Sequence, residues 1–282
     1  MKETRMRAIS SVFDVTLCLL VVSASAFVLV DVQSPDTVDK ASNTESTANV
    51  LATSTAQVNY TIQTESRRLP RTTHDTLAGL LADAAVSNTT VRGVELTRTG
   101  DGFERSVANR VQERLGSPSD TQIVVRWTPY RNSHIRGQFA VGESPPRDAA
   151  VHATVLSVPS GLPGVRDDAI DAARGGGYRD VARVVATGIV SGLFPKRSTE
   201  IALRDRRSVA NSVAGRSRRL RKRYDPDSLS PDIGSMKTRR MLVRSMTTAI
   251  ESELREQFGA PTAAARSAAV GRTELVVRTW SK

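Results

Sequence analysis

The stretch TQIVVRWT, from Thr121 to Thr128, gives the clearest indication of the fold. Its bulky apolar side chains recur at every second position, at Ile123, Val125 and Trp127. Because successive side chains of a β-strand point to opposite faces, this spacing predicts a strand. Two similar runs follow, Ile135 to Val141 and Ala150 to Val158, and the segments between them are rich in turn-forming residues. Together the three runs predict an antiparallel meander with helices on one face.

Helical spacing dominates the residues before this meander. One predicted helix opens at Thr72 or Thr73 with Asp75, ends at Asn88 and carries a stripe of Leu77, Leu80, Leu81, Ala84 and Ala85. A second ends at Gly116, and its stripe is Phe103, Val107, Val111 and Leu115. The β-branched runs Val50 to Thr64 and Val91 to Thr97 predict two more strands.

The chain after Gly164 is predicted to be mainly helical and basic over residues 164–258. Gly175-Gly176-Gly177 indicates a break in the first of these helices, and Lys196 to Tyr224 has the strongest helical period. A further helix is predicted to turn Leu242, Met246, Ala249, Ile250 and Leu254 inward. The final run, Glu274 to Trp280, predicts a strand that joins the earlier sheet. The predicted fold class is therefore α+β, with a helical insertion before the last strand.

The N-terminal stretch from Ile9 to Val32 predicts a transmembrane helix, since no charge interrupts it between Val15 and Val30. About 20 apolar residues suffice to cross the hydrocarbon core of a bilayer. Basic residues precede it, at Lys2, Arg5 and Arg7. The positive-inside rule places this head, residues 1–8, in the cytoplasm. Residues 33–46 would form a polar stalk and residues 47–282 an extracellular domain on a single-pass protein of the cytoplasmic membrane.

A cleaved signal peptide is the alternative for the same stretch. Ala24-Ser25-Ala26 resembles a small-x-small cleavage site after a basic head and an apolar run. The apolar run continues through Phe27 to Val30, which favours a retained anchor in contact with membrane lipid. Either interpretation exports the bulk of the chain.

The segment Arg7-Ala8-Ile9-Ser10-Ser11-Val12-Phe13-Asp14-Val15 resembles the N-terminus of haloarchaeal type IV pilins and pilin-like proteins. In that family a peptidase cuts between the basic head and the apolar helix, and the helices then bundle into a filament core. The resemblance implies a structural or accessory cell-surface protein, a pilin-like component of an archaeal type IV pilus-related assembly. Its partners would be like subunits or pilus-type subunits.

Positive charge is concentrated in the C-terminal third of the chain. The net charge is +11, and residues 194–282 hold 20 Lys and Arg against 9 Asp and Glu. The densest cluster is Arg216, Arg218, Arg219, Arg221, Lys222 and Arg223. Such a cluster predicts binding of an anionic partner, an acidic surface protein or polymer, and defines a second hypothesis: a membrane-tethered binding module. Intracellular nucleic acid is not expected because the cluster is predicted to lie outside the cell. A solvated helix face that binds nothing is the plainer interpretation.

No residue pattern predicts catalysis, a metal site or a cofactor. The histidines, His74, His134 and His152, have no ligand spacing, and the lone Cys18 lies in the predicted anchor. The three glycines at 175–177 lack the Lys-Ser/Thr of a phosphate loop. An enzyme is therefore not predicted, and a surface hydrolase is the weakest of three functional hypotheses.

Overall fold

The structure, a computed structural model, describes residues 35–63, 68–95, 101–116, 119–193 and 236–281. The predicted anchor, residues 9–32, lies outside this part of the chain. None of the described helices is long and apolar enough to cross a membrane. The elements in chain order are α1 (Pro35–Thr53), β1 (Thr55–Gln63), β2 (Arg68–Thr76), α2 (Leu77–Ser87), β3 (Thr89–Val91), β4 (Val94–Glu95), α3 (Asp101–Leu115), β5 (Thr121–Trp127), β6 (Ile135–Val141), β7 (Ala150–Pro159), α4 (Arg166–Leu193), α5 (Met236–Gln257), α6 (Pro261–Arg266) and β8 (Arg272–Ser281).

A six-stranded antiparallel sheet forms the centre of the fold, in the order β4-β3-β6-β5-β8-β7. The last strand, β8, lies between β5 and β7, so Leu275 is opposite Val125 on one side and Leu156 on the other. The α+β class is thus confirmed, as is the prediction that the C-terminal run joins the earlier sheet. The simple meander is wrong, because β8 separates β7 from the β5–β6 hairpin.

A separate two-stranded sheet is made by β1 and β2, which pair from Thr55 opposite Thr76 to Gln63 opposite Arg68. The predicted helix start at Thr72 or Thr73 is therefore wrong, since both residues belong to β2. Helix α2 starts at Leu77 because Thr76 caps it: the Thr76 hydroxyl accepts a hydrogen bond from the Gly79 amide, at 3.0 Å. The predicted helix end at Asn88 is confirmed, since this residue is the C-cap.

Helix α1 occupies most of the segment that the sequence predicts as a stalk, residues 33–46, and continues to Thr53. The predicted strand therefore begins at Thr55 and not at Val50. The inward face of α1 is built from Thr44, Ala48 and Leu51, all buried. Their i, i+4, i+7 spacing places them on one side of the helix, which packs on β7 and β8.

Two hydrophobic cores stabilise the molecule. The first packs α1, α2, α3 and β1 against one face of the sheet and includes Val107, Val125 and Leu275. The second joins α4, α5 and α6 to the end of β5 and includes Trp127 and Tyr130. The Trp127 indole donates a hydrogen bond to the Val270 carbonyl, at 2.8 Å, which fastens the helical region to the sheet.

Helix α4 is broken where the sequence predicts it. Gly177 has φ 65° and ψ −154°, a conformation that is accessible mainly to glycine. Helix α4 packs on α5 and on α6. The inward face of α5 is close to the one predicted: Leu242, Met246, Ile250 and Leu254 are buried, and Ala249 is half-buried.

Candidate functional site

A groove of about 580 Å³ runs between α4 and α5, and we call it the arginine groove. Five of its lining residues are arginines. The described lining residues are Arg179, Arg183, Thr187, Val190, Ser191, Arg239, Arg240, Val243, Arg244, Thr247 and Thr248.

The arginines form a row on each helix. On α4 they are Arg179 and Arg183, and on α5 the pair with the same spacing is Arg240 and Arg244. Residues four apart on an α-helix are neighbours on one face, with Cβ atoms about 5–6 Å apart. Each wall of the groove therefore presents cations about one helical turn apart.

Some of the groove's arginines have interaction partners, Arg239 and Arg240 among them. No carboxylate is among the described residues that line the groove. Asp180 forms an ion pair with Arg183 across one turn of α4. Arg179 and Arg244 are exposed, and neither has a described carboxylate within ion-pair distance. The positive potential in the groove is therefore only partly neutralised.

The floor between the two rows offers apolar surface and few free donors. Val190 is buried and Val243 is half-buried. The Thr187 hydroxyl donates to the Arg183 carbonyl and the Thr247 hydroxyl to the Val243 carbonyl, each at 2.7 Å. Since these hydroxyl protons are already used within the helices, the exposed guanidinium groups of Arg179 and Arg244 are the stronger donors for a ligand.

The cluster from Arg216 to Arg223, predicted from the sequence to bind an anionic partner, lies outside the described residues. It falls between Leu193, the last residue of α4, and Met236, the first of α5. The sequence shows that the C-terminal third is basic, but it does not connect the arginines of α5 with Arg179 and Arg183. The only local signal was their i, i+4 spacing, and the contact between α4 and α5 that makes it meaningful is not evident from local sequence.

Glu253 is the most deeply buried carboxylate of the described helices α4, α5 and α6. Its Oε2 accepts a hydrogen bond from the Tyr130 hydroxyl at 2.6 Å, and its Oε1 lies 2.8 Å from His134 Nδ1. The His134 backbone amide also points to Oε2, at 3.4 Å. This arrangement fixes α5 to the turn between β5 and β6. Within the described residues, no group of His, Cys, Asp and Glu could hold a metal ion.

A second cavity, of about 340 Å³, is lined by Asp83 together with Tyr60, Phe103 and Leu162. Burial, and to a smaller extent the nearby charge of Asp75, raises the pKa of the Asp83 carboxyl to about 6. The hydroxyl residues Thr73, Ser87 and Ser160 also line this cavity. No group of His, Cys, Asp and Glu that could hold a metal ion is present there among the described residues.

Fold and site together define an α+β protein with an antiparallel sheet and an arginine groove between two helices. The chain belongs to the family described as "Family of unknown function (DUF7284)", whose model matches residues 13–280. No curated protein and no solved structure matches the chain.

Proposed function

We propose that the chain is a membrane-anchored structural or accessory protein of a cell surface, with the layout of a pilin-like subunit. In this proposal residues 9–32 are the anchor and residues 1–8 are its cytoplasmic head. The α+β part lies outside the cell, as the basic residues before the anchor favour.

The observation that supports this proposal is the docking of α1 on the sheet. The predicted anchor ends at Val32, and α1 begins at Pro35. Its buried residues, Thr44, Ala48 and Leu51, attach it to β8, an interior strand, and to the edge strand β7. A domain connected through a docked helix has a defined position relative to the segment before that helix, whereas a flexible stalk leaves the position open. A defined position suits a subunit of an assembly better than a loosely tethered binding module.

The proposal is tested by sequencing the N-terminus of the mature protein from membranes. A pilin-like subunit should begin at Ala8 or Ile9. A start at Phe27 would indicate a secreted protein, and a start at Met1 would leave the anchor but exclude pilin-type processing. Either result would overturn the pilin-like proposal.

Reporter fusions provide a second test, of topology. Fusions after residue 40 and at Lys282 should both report the non-cytoplasmic side, because one apolar span separates them from the basic head. A cytoplasmic signal at Lys282 would contradict the proposal in all its forms.

A further inference from the structure

The two rows of the arginine groove have the repeat of an α-helix. Arg179 and Arg183 lie one turn apart on α4, and Arg240 and Arg244 lie one turn apart on α5. A ligand that pairs with both rows therefore needs negative charges at a similar spacing along two parallel lines. Carboxylates at positions i and i+4 on a helix satisfy this requirement, since they project from one face about one turn apart.

The groove floor adds a requirement for apolar surface. Val190 and Val243 lie between the rows, and the hydroxyls of Thr187 and Thr247 donate within their own helices. A ligand over this floor gains more from small apolar side chains than from additional polar groups. An acidic helix with a narrow apolar stripe meets both requirements, in the manner of peptides that lay one helical face into a groove.

We propose that the arginine groove binds an acidic, amphipathic helical segment of another protein. Guanidinium groups form bidentate hydrogen bonds with carboxylates, so each row would hold Asp or Glu side chains of the bound helix. The proposal concerns α4 and α5 alone, and it does not depend on the presence of a membrane anchor.

Two other occupants fit the groove less well. A nucleic-acid strand would supply phosphates, but none of the described residues that line the groove is aromatic, so they offer bases no ring to stack on. A second copy of this chain carries the same net charge of +11, so long-range repulsion opposes its approach. The same net positive charge attracts an acidic protein.

The test measures binding of a fluorescent helical peptide to the full-length protein in detergent, by anisotropy at low salt. The peptide carries Glu at i, i+4 pairs on both sides of an Ala/Leu stripe, and a scrambled peptide of equal composition is the reference. The triple variant Arg179→Gln, Arg183→Gln, Arg244→Gln should bind the peptide at least about tenfold more weakly than the parent protein. The difference should shrink in concentrated salt.

A matched control removes the same charge elsewhere. Arg105, Arg126 and Arg136 are exposed and lie outside the groove, so their triple substitution by Gln should leave peptide affinity within about twofold. A further variant with Lys at positions 179, 183 and 244 keeps the charge but loses bidentate geometry, and it should bind with intermediate affinity. Circular dichroism of each variant establishes that it is folded.

Three results would overturn the proposal. The first is equal peptide binding by the groove variant and the parent protein. The second is equal binding of the ordered and scrambled peptides, or a loss of affinity in the groove variant that is as large for a single-stranded oligonucleotide as for the peptide. Either result would make the groove a general polyanion site. The third concerns self-association, measured by sedimentation. If the parent protein self-associates in a salt-dependent manner and the groove variant does not, a second copy of the chain is the occupant.

Discussion

The hydroxyls of Thr44 and Thr279 lie 2.6 Å apart and form a buried hydrogen bond across 235 positions of sequence. Thr44 belongs to the first described helix, and Thr279 to β8, an interior strand next to the edge strand β7. Both side chains are almost fully buried, so the bond is protected from competing water. This contact therefore couples the N-terminal helix directly to the sheet.

We expect Thr44→Val to lower the free energy of unfolding by about 1–2 kcal/mol, because a buried polar group loses one partner. Thr279→Val should have a similar effect. The double variant should be less destabilised than the sum of the two, since matched apolar replacements leave fewer unsatisfied groups. Urea unfolding of the full chain measures the four free energies. Strict additivity would mean that the two hydroxyls do not stabilise α1 on β8.

The buried carboxylate of Glu253 should contribute more to stability than an exposed one on the same helix. Glu253→Ala removes the acceptor of the Tyr130 hydroxyl and leaves a cavity, so we expect a loss of about 3–5 kcal/mol. Glu253→Gln keeps an acceptor oxygen and should cost less, about 1–2 kcal/mol.

Glu256, exposed on the same helix α5, provides the control. Glu256→Ala should change the free energy of unfolding by less than about 0.5 kcal/mol. Comparable losses for Glu253→Ala and Glu256→Ala in thermal or urea unfolding would show that the Tyr130–Glu253 contact is energetically unimportant.

Local sequence patterns were sufficient to predict the elements whose apolar residues recur at a regular spacing or in one continuous run. Strand β6 alternates buried and exposed residues, and α3 carries large apolar side chains at helical spacing. Strand β5 is buried except at Arg126, so its continuous apolar run also marks it as a strand. Helix α1 was missed because its inward residues include Thr44 and Ala48, which are too small or too polar to mark an apolar stripe. The start of α2 was misplaced because Thr72 and Thr73 also resemble helix caps, and only the pairing of β2 with β1 decides between the two.

Long-range contacts set the rest of the fold and the candidate site. The insertion of β8 between β5 and β7 is a pairing of segments far apart in sequence, and a strand pattern does not specify its neighbours. The arginine groove similarly depends on which faces of α4 and α5 meet. In the sequence, Arg183 and Arg244 each resemble an ordinary exposed residue of a helix. Only the packing of α4 on α5 places both of them along one groove.

Asp83 should make stability depend on pH. Its pKa is about 6 in the folded protein against an ordinary value of 3.8, so the folded state holds the proton more tightly than the unfolded chain. The stabilisation is fully present below about pH 4 and is lost as the pH rises through 6, by at most about 3 kcal/mol. Asp83→Asn should therefore be more stable than the parent at pH 7 and nearly equal to it at pH 4.

Thermal unfolding at a series of pH values tests this expectation. Asp148→Asn is the matched control, since Asp148 is exposed and its substitution removes the same charge. The control should follow the pH profile of the parent protein. If Asp83→Asn has the same pH profile as the parent, the cavity does not disfavour the ionised carboxyl.

Gly137 lies where strand β6 passes closest to helix α2. A Cβ atom at this position would lie 2.0 Å from the Ala85 carbonyl oxygen, which belongs to the helix backbone. Backbone cannot move aside as the end of a flexible side chain can, so α2 would have to shift away from the sheet. We expect Gly137→Ala to lower the free energy of unfolding by about 3 kcal/mol or more.

Gly175 provides the matched control for this substitution. It lies in helix α4, and a Cβ at this position meets no atom within 4 Å. Gly175→Ala should therefore be neutral or stabilise the protein by up to about 1 kcal/mol, because alanine favours helix more than glycine does. Urea unfolding of both variants measures the contrast. A loss below about 1 kcal/mol for Gly137→Ala would mean that α2 and β6 are not packed as closely as this distance indicates.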